Sequence, residues 1–180
     1  MKKLLLALVL TIVPAATAEQ VKIAVIDMER AIVQSVDGKK AEAAFTARFE
    51  ALRKDIEAKQ KHIEDQQNKL KTQERLLSDT VKADIAKDVT RSQTELSRIQ
   101  EDAQKELDTL RSDLMRPIAQ VAETVVNNFA KEQGFTLVID SSNPQNTSIL
   151  FVSPNVDLTD AIIKLIDAEL AKAATKKPGI

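Results

Sequence analysis

The single histidine of the 180-residue chain, His62, stands between Lys61 and Ile63, with Asp65 three positions on. One helical turn separates the imidazole from that carboxylate, so an Asp–His contact of the kind found beside metal ligands is possible. A metal site needs three or four converging ligands, however, and a solvated helical histidine fits the pattern equally well. There is no cysteine, hence no thiol nucleophile. Gly38, Gly134 and Gly179 lie too far apart to form a phosphate-cradling loop, so no ATP-driven step is expected. The neighbours Glu64-Asp65 and Glu101-Asp102 point in different directions around a helix and read as solubilising charge. The residues therefore assign no catalytic group, no metal ligand and no cofactor, and an enzyme is the least supported class.

What remains are the elements. Met1-Lys2-Lys3, the apolar run Leu4 to Val13 and the small-residue site Ala16-Thr17-Ala18 have the three-part layout of a secretory signal. Residues 1–18 are expected to be removed by cleavage between Ala18 and Glu19. The run ends at Pro14 and falls short of the about 20 apolar residues of a membrane anchor. A short apolar region with an Ala-x-Ala site suits a bacterial envelope, and the periplasm is the expected compartment. Cleavage leaves 24 basic and 27 acidic residues, a net charge of −3. That lacks the basic footprint of nucleic-acid binding, and with no Trp or Tyr there is little for bases to stack on. Asn146-Thr147-Ser148 matches a glycosylation acceptor but reads here as a polar turn.

From Lys39 to Gln133 there is no Gly and only one Pro, Pro117. Ala, Glu, Lys, Gln and Leu dominate, all strong helix formers. Opposite charges recur four apart, as in Glu50–Lys54, Asp55–Lys59, Glu57–Lys61, Asp65–Lys69 and Glu101–Lys105. Leu77 to Val81 offers Ser, Asp and Thr for a reversal. Residues 37–116 are thus expected as a helical hairpin with its tip near 77–81. A single unbroken helix is the alternative. At 1.5 Å per residue, a first arm of about 40 residues reaches roughly 60 Å. Phe49, Ile56, Ile63, Leu70 and Leu77 repeat every seven residues, one row of a heptad seam. The companion row starts with Phe45 and Leu52 but continues as Lys59, Gln66 and Gln73. In the returning arm the apolar period from Leu96 to Val125 is nearer eleven residues, which favours straight packing. The arms should be firm at the base and loose toward the tip. Pro117 removes a helix hydrogen bond to the carbonyl of Asp113 where arm meets body, and is a candidate hinge.

Residues 19–36 and 117–172 supply a small α/β body. Val21 to Ile26 reads as a strand buried on both faces, and Asp27 as the cap of a helix from Met28 to Ser35. Gly134 should stop the second arm. Phe135 to Asp140 and Ser148 to Val152 read as two further strands, joined by SSNPQNT. Asp157 or Thr159 can cap a last helix with Leu158, Ile162, Leu165, Ile166 and Leu170 on its apolar side. Residues 173–180 read as a flexible tail. The expected class is α+β, predominantly α. A body of roughly 75 residues is marginal alone, and its strand edges need cover, so self-association is expected through Val21, Ile23, Val25 and Phe151.

The order strand, DMERAIVQSVDGKKAEAAF, charged hairpin, MRPIAQVAETVVNNFAKEQGFTLVID, then FVSPNVDLTDAIIKLI resembles the Skp (OmpH-like) periplasmic chaperones. The likeness runs from about Val21 to Ala171. It implies a homotrimer with three hairpins arranged like tentacles around a cavity. It also implies that unfolded outer-membrane proteins are held there without ATP and carried toward the outer-membrane assembly machinery. Family members are often strongly basic, whereas this chain has a pI near 6.0; no lipopolysaccharide site is carried over to any residue. Lys69, Lys71, Arg75, Lys82 and Lys87 still give the tip a small basic excess that suits anionic lipid.

The residues support the same role independently. A half-filled seam can offer Ile56, Ile63, Leu70, Leu77, Ile85 and Val89 to an unfolded client. Several arms on one client raise the effective concentration of each weak contact. The same residues could instead zip the two arms together. The other class to weigh is a structural coiled-coil adaptor or spacer of the envelope.

Overall fold

A computed structural model describes residues 21–143 and 149–176. Its elements run β1 (Ile23–Ile26), α1 (Met28–Gln34), α2 (Val36–Thr72), α3 (Asp79–Glu132), β2 (Leu137–Asp140) and α4 (Thr159–Lys176). The fold is α+β and predominantly α. Ala18, Glu19 and the Asn146 sequon lie outside the described residues.

Each helix begins on a residue able to accept its free amides. Asp27 accepts the N–H of Arg30 at 2.8 Å and starts α1. Ser35 accepts the N–H of Gly38 at 3.0 Å, and Asp167 of α4 accepts that of Val36 at 2.7 Å, so α2 is capped from its own chain and from a neighbour. Ser78 caps α3 through the N–H of Val81. Asp157 accepts both the N–H of Thr159 at 2.9 Å and its hydroxyl, and thereby opens α4. Gly134, with φ 66°, lies just past the end of α3 in the left-handed region that glycine enters without penalty.

β1 and β2 pair in parallel, Ile23 against Leu137 through Ile26 against Asp140. The whole hairpin is inserted between them. The other edge of β1 is taken by residues 156–158: Val25 N–H donates to Val156 and Leu158 N–H donates back to Val25. The core forms where these strands meet the helices. Ile26, Ala31 and Ala41 pack with Ile118, Ala122 and Val125 of α3 and with Ile162 and Ile166 of α4. Thr159, fully buried, ties the layers by accepting the N–H of Asp27 at 3.0 Å. Lys22 closes the far end, donating to the carbonyl of Gln133 at 2.8 Å with its amine 4.2 Å from the centre of the Phe135 ring.

Several sequence expectations are corrected. Ile149 to Val152 is not a strand, and Leu150 and Phe151 stand in solvent. A strand needs an edge to pair with and a face to bury: residues 156–158 already occupy the outer edge of β1, and Leu150 and Phe151 are not buried on any face. Val21 and Ile23 are exposed, so only Ala24 to Ile26 of the first strand is buried. The reversal spans residues 73–78, a few residues before the expected tip, since α2 ends at Thr72. Leu165 is exposed, while Ile162 and Ile166 carry the inner side of α4, which continues to Lys176. None of the five charge pairs expected four apart is formed.

Candidate functional site

At 1.5 Å per residue, the 37 residues of α2 make a rod of about 55 Å, and α3 runs back along it before entering the core. The arms meet through two kinds of contact. Apolar contact is firm but discontinuous: Leu52, Ile63, Ile85 and Ala103 are buried, with Ser92 buried among them as a small residue. Ile56, Leu70, Leu77 and Val89 are half-buried, and Phe49 is largely exposed. Of the six residues expected to face a client, Ile63 and Ile85 are thus covered, each 7% exposed. The other four keep part of their surface in water.

Ion pairs supply the rest. Arg48 grips Glu106 with two parallel hydrogen bonds, 2.5 and 2.9 Å. Further out Lys59 pairs with Glu95, and His62 Nε2 lies 2.9 Å from Asp88 Oδ2. Partner numbers fall on α3 as they rise on α2, which fixes the arms as antiparallel. Lys59 belongs to the row where apolar residues give out, and its ammonium crosses the seam rather than joining Asp55. His62 likewise faces Asp88 instead of Asp65, which pairs with Lys61 at 3.6 Å. Arg53 holds Glu50 and Glu57 within α2. Sequence spacing along one helix missed these partners. The usable signal was complementary charge at matched distances on either side of the turn.

These contacts set the local electrostatics. The hydrogen bond from Arg48 holds the Glu106 carboxyl below its ordinary range, while Glu106 raises the Arg48 guanidinium. The Lys59 hydrogen bond and charge lower Glu95. Asp88 is lowered first by its bond to His62, then by Arg91. In the body, Asp157 is lowered chiefly by the Thr159 hydroxyl. Among the described residues no group of three or more His, Asp, Glu or Cys side chains converges on a metal-sized site.

At the tip Leu76 is 86% exposed and Val81 is also open to solvent, close to Lys71, Arg75 and Lys82. Among the described residues no helix is long and apolar enough to cross a membrane. Of the expected interface residues, Val21, Ile23 and Phe151 are exposed on the body; Val25 is buried inside the protomer, with its N–H and carbonyl both bonded to residues 156–158. Pro117 lies inside α3 with its ring exposed, one residue before buried Ile118. The helix runs through it unbroken.

A two-stranded parallel body with an inserted antiparallel hairpin, held by a patchy seam, defines a scaffold with long projecting arms. The chain belongs to the OmpH-like outer membrane protein family, whose model matches residues 22–166. A crystal structure from Caulobacter crescentus, described as an outer membrane chaperone (OmpH-like), shares the fold. Its TM-score is 0.68 at 15% identity, over 83% of this chain and 86% of that one. No curated protein sequence is significantly similar.

Proposed function

We propose that this chain is an ATP-independent periplasmic holdase that keeps unfolded outer-membrane β-barrel proteins from aggregating and delivers them toward the membrane assembly machinery. The observation that carries this reading is the outer hairpin: half-buried Ile56, Leu70, Leu77 and Val89 beside partly covered ion pairs, on arms that belong to a family with a chaperone among its fold relatives. Unfolded barrel strands present alternating apolar side chains, and many weak apolar contacts hold such a chain without a specific pocket. Release needs only a better-binding destination.

Assembly as a homotrimer completes the reading. Val21, Ile23, Leu150 and Phe151 are exposed apolar side chains of the body. Covering those residues between subunits removes an aggregation-prone feature and sets the hairpins around a shared cavity. Pro117, at the junction of arm and body, is the hinge that lets them splay. The basic tip, with Leu76 foremost, suits an anionic lipid surface.

The test dilutes a urea-unfolded porin into buffer containing the mature protein. Light scattering should fall at a modest molar excess of trimer; unchanged scattering overturns the proposal. The adaptor reading is favoured by the burial of Ile63 and Ile85, which zip the arms. It requires one folded partner and no effect on scattering.

A further inference from the structure

The outer hairpin carries a charge network where its apolar seam fails. Lys59 and His62 on α2 face Asp88, Arg91 and Glu95 on α3. Lys59 bonds Glu95, His62 bonds Asp88, and Arg91 bonds Asp88 and lies 3.9 Å from Glu95. Two members are partly covered: Lys59 and Asp88 keep 28% and 27% of their side-chain surface in water. Partial cover reduces screening, and a network outweighs an isolated exposed pair. The network adjoins the two covered apolar residues of the outer arm. Ile63 follows His62 directly, and Ile85 lies one turn before Asp88.

We propose that these five residues form a latch that keeps the outer hairpin closed over Ile63 and Ile85, and that its release uncovers both for an unfolded, apolar client segment. This rests on the holdase reading for the identity of the client, but not for the opening itself. Closure at the base does not depend on the latch, because Leu52, Ala103 and the Arg48–Glu106 fork hold the arms there. The outer segment therefore has its own, lower opening free energy, as a local unit with few buried apolar contacts does. Ile63 and Ile85 are then reserve contacts, and the half-buried residues around them the first to meet a client.

Amide exchange on the assembled mature protein reads the opening directly. Lys59→Glu should speed exchange in peptides covering 58–66 and 84–96 by about tenfold, and adding Glu95→Lys should restore it to within about twofold. Arg53→Ala, which breaks only pairs within α2, should change neither. In about 1 M salt, where the screening length is about 3 Å, the wild-type peptides should also exchange faster. Unchanged exchange in Lys59→Glu, or no rescue by the swap, overturns the latch.

Client holding is scored separately. Lys59→Glu should suppress porin scattering at roughly half the molar excess the wild type needs, a ratio of the size expected when a binding-competent state is populated more often. Faster exchange with unchanged holding overturns the role of Ile63 and Ile85 as reserve contacts. A wild type that holds no porin sinks the holdase reading, while the exchange result still decides the latch.

Discussion

Gly38 packs so tightly against Ile32 that a Cβ at position 38 would stand 1.9 Å from the Ile32 carbonyl oxygen. The same atom would lie 2.9 Å from the carbonyl of Val33, so backbone rather than a movable side chain fills the space. This contact sets the angle between α1 and α2, and so the direction in which the arm leaves the body.

Gly38→Ala must therefore push α1 and α2 apart. We expect a loss of about 3 kcal/mol, seen as a fall in Tm of roughly 6–10 °C. A melt within a degree of wild type would show that the junction yields freely.

Gly134 makes a different demand. Nothing lies within 4 Å of its would-be Cβ, yet its φ is 66°. Gly134→Ala should cost about 1 kcal/mol from backbone conformation alone, and Gly134→Asn less, since Asn tolerates this region better. Equal losses in chemical denaturation would contradict this.

Acid should loosen the arms. Glu106, Glu95 and Asp88 all have folded values below the ordinary carboxylate range of about 4. The stability they contribute is present above that range and is lost as pH falls through their lowered values. Thermal melts by circular dichroism should drop between pH 5 and pH 3, taken as approximate bounds of that window. Glu95→Gln with Glu106→Gln should flatten the drop; an unchanged slope would assign the acid response elsewhere.

Buried and half-buried members of the same heptad row should separate. Ile63→Ala should cost about 2–4 kcal/mol of local arm stability, whereas Leu70→Ala should cost about 1 kcal/mol. Exchange rates of α2 peptides provide the measure, and equal losses would mean that Leu70 is zipped as firmly as Ile63.

Leu150→Ser with Phe151→Ser should leave the protomer fold intact, because both side chains already face solvent. Sedimentation equilibrium should show dissociation toward monomer at micromolar concentration. A trimer of wild-type stability would remove these residues from the interface.

Much of the architecture was legible because local chemistry fixed it. Asp27 announced α1, Gly134 ended α3, and a long stretch with no glycine and a single proline read as helix, with Ser78 to Thr80 marking where it could turn back. The tip was misplaced because Gln73-Glu74-Arg75 are ordinary helix formers, and nothing in their side chains marks a stop. Ile149 to Val152 reads as a strand by composition, but pairing depends on which edge is vacant in three dimensions. The cross-arm partners of Lys59 and His62 were hidden for the same reason. Their choice between Asp55 or Asp65 and Glu95 or Asp88 depends on the side of the helix that faces the second arm.

Lys22 and Thr136 bond to each other from positions 114 apart. A polypeptide emerging amino end first therefore presents β1 long before its mate exists. Arms built on nearby contacts can zip early, whereas strand pairing between distant positions is slow. Any product ending before Leu137 would carry both arms but lack the mate of β1 and the Ile162 and Ile166 side of the core.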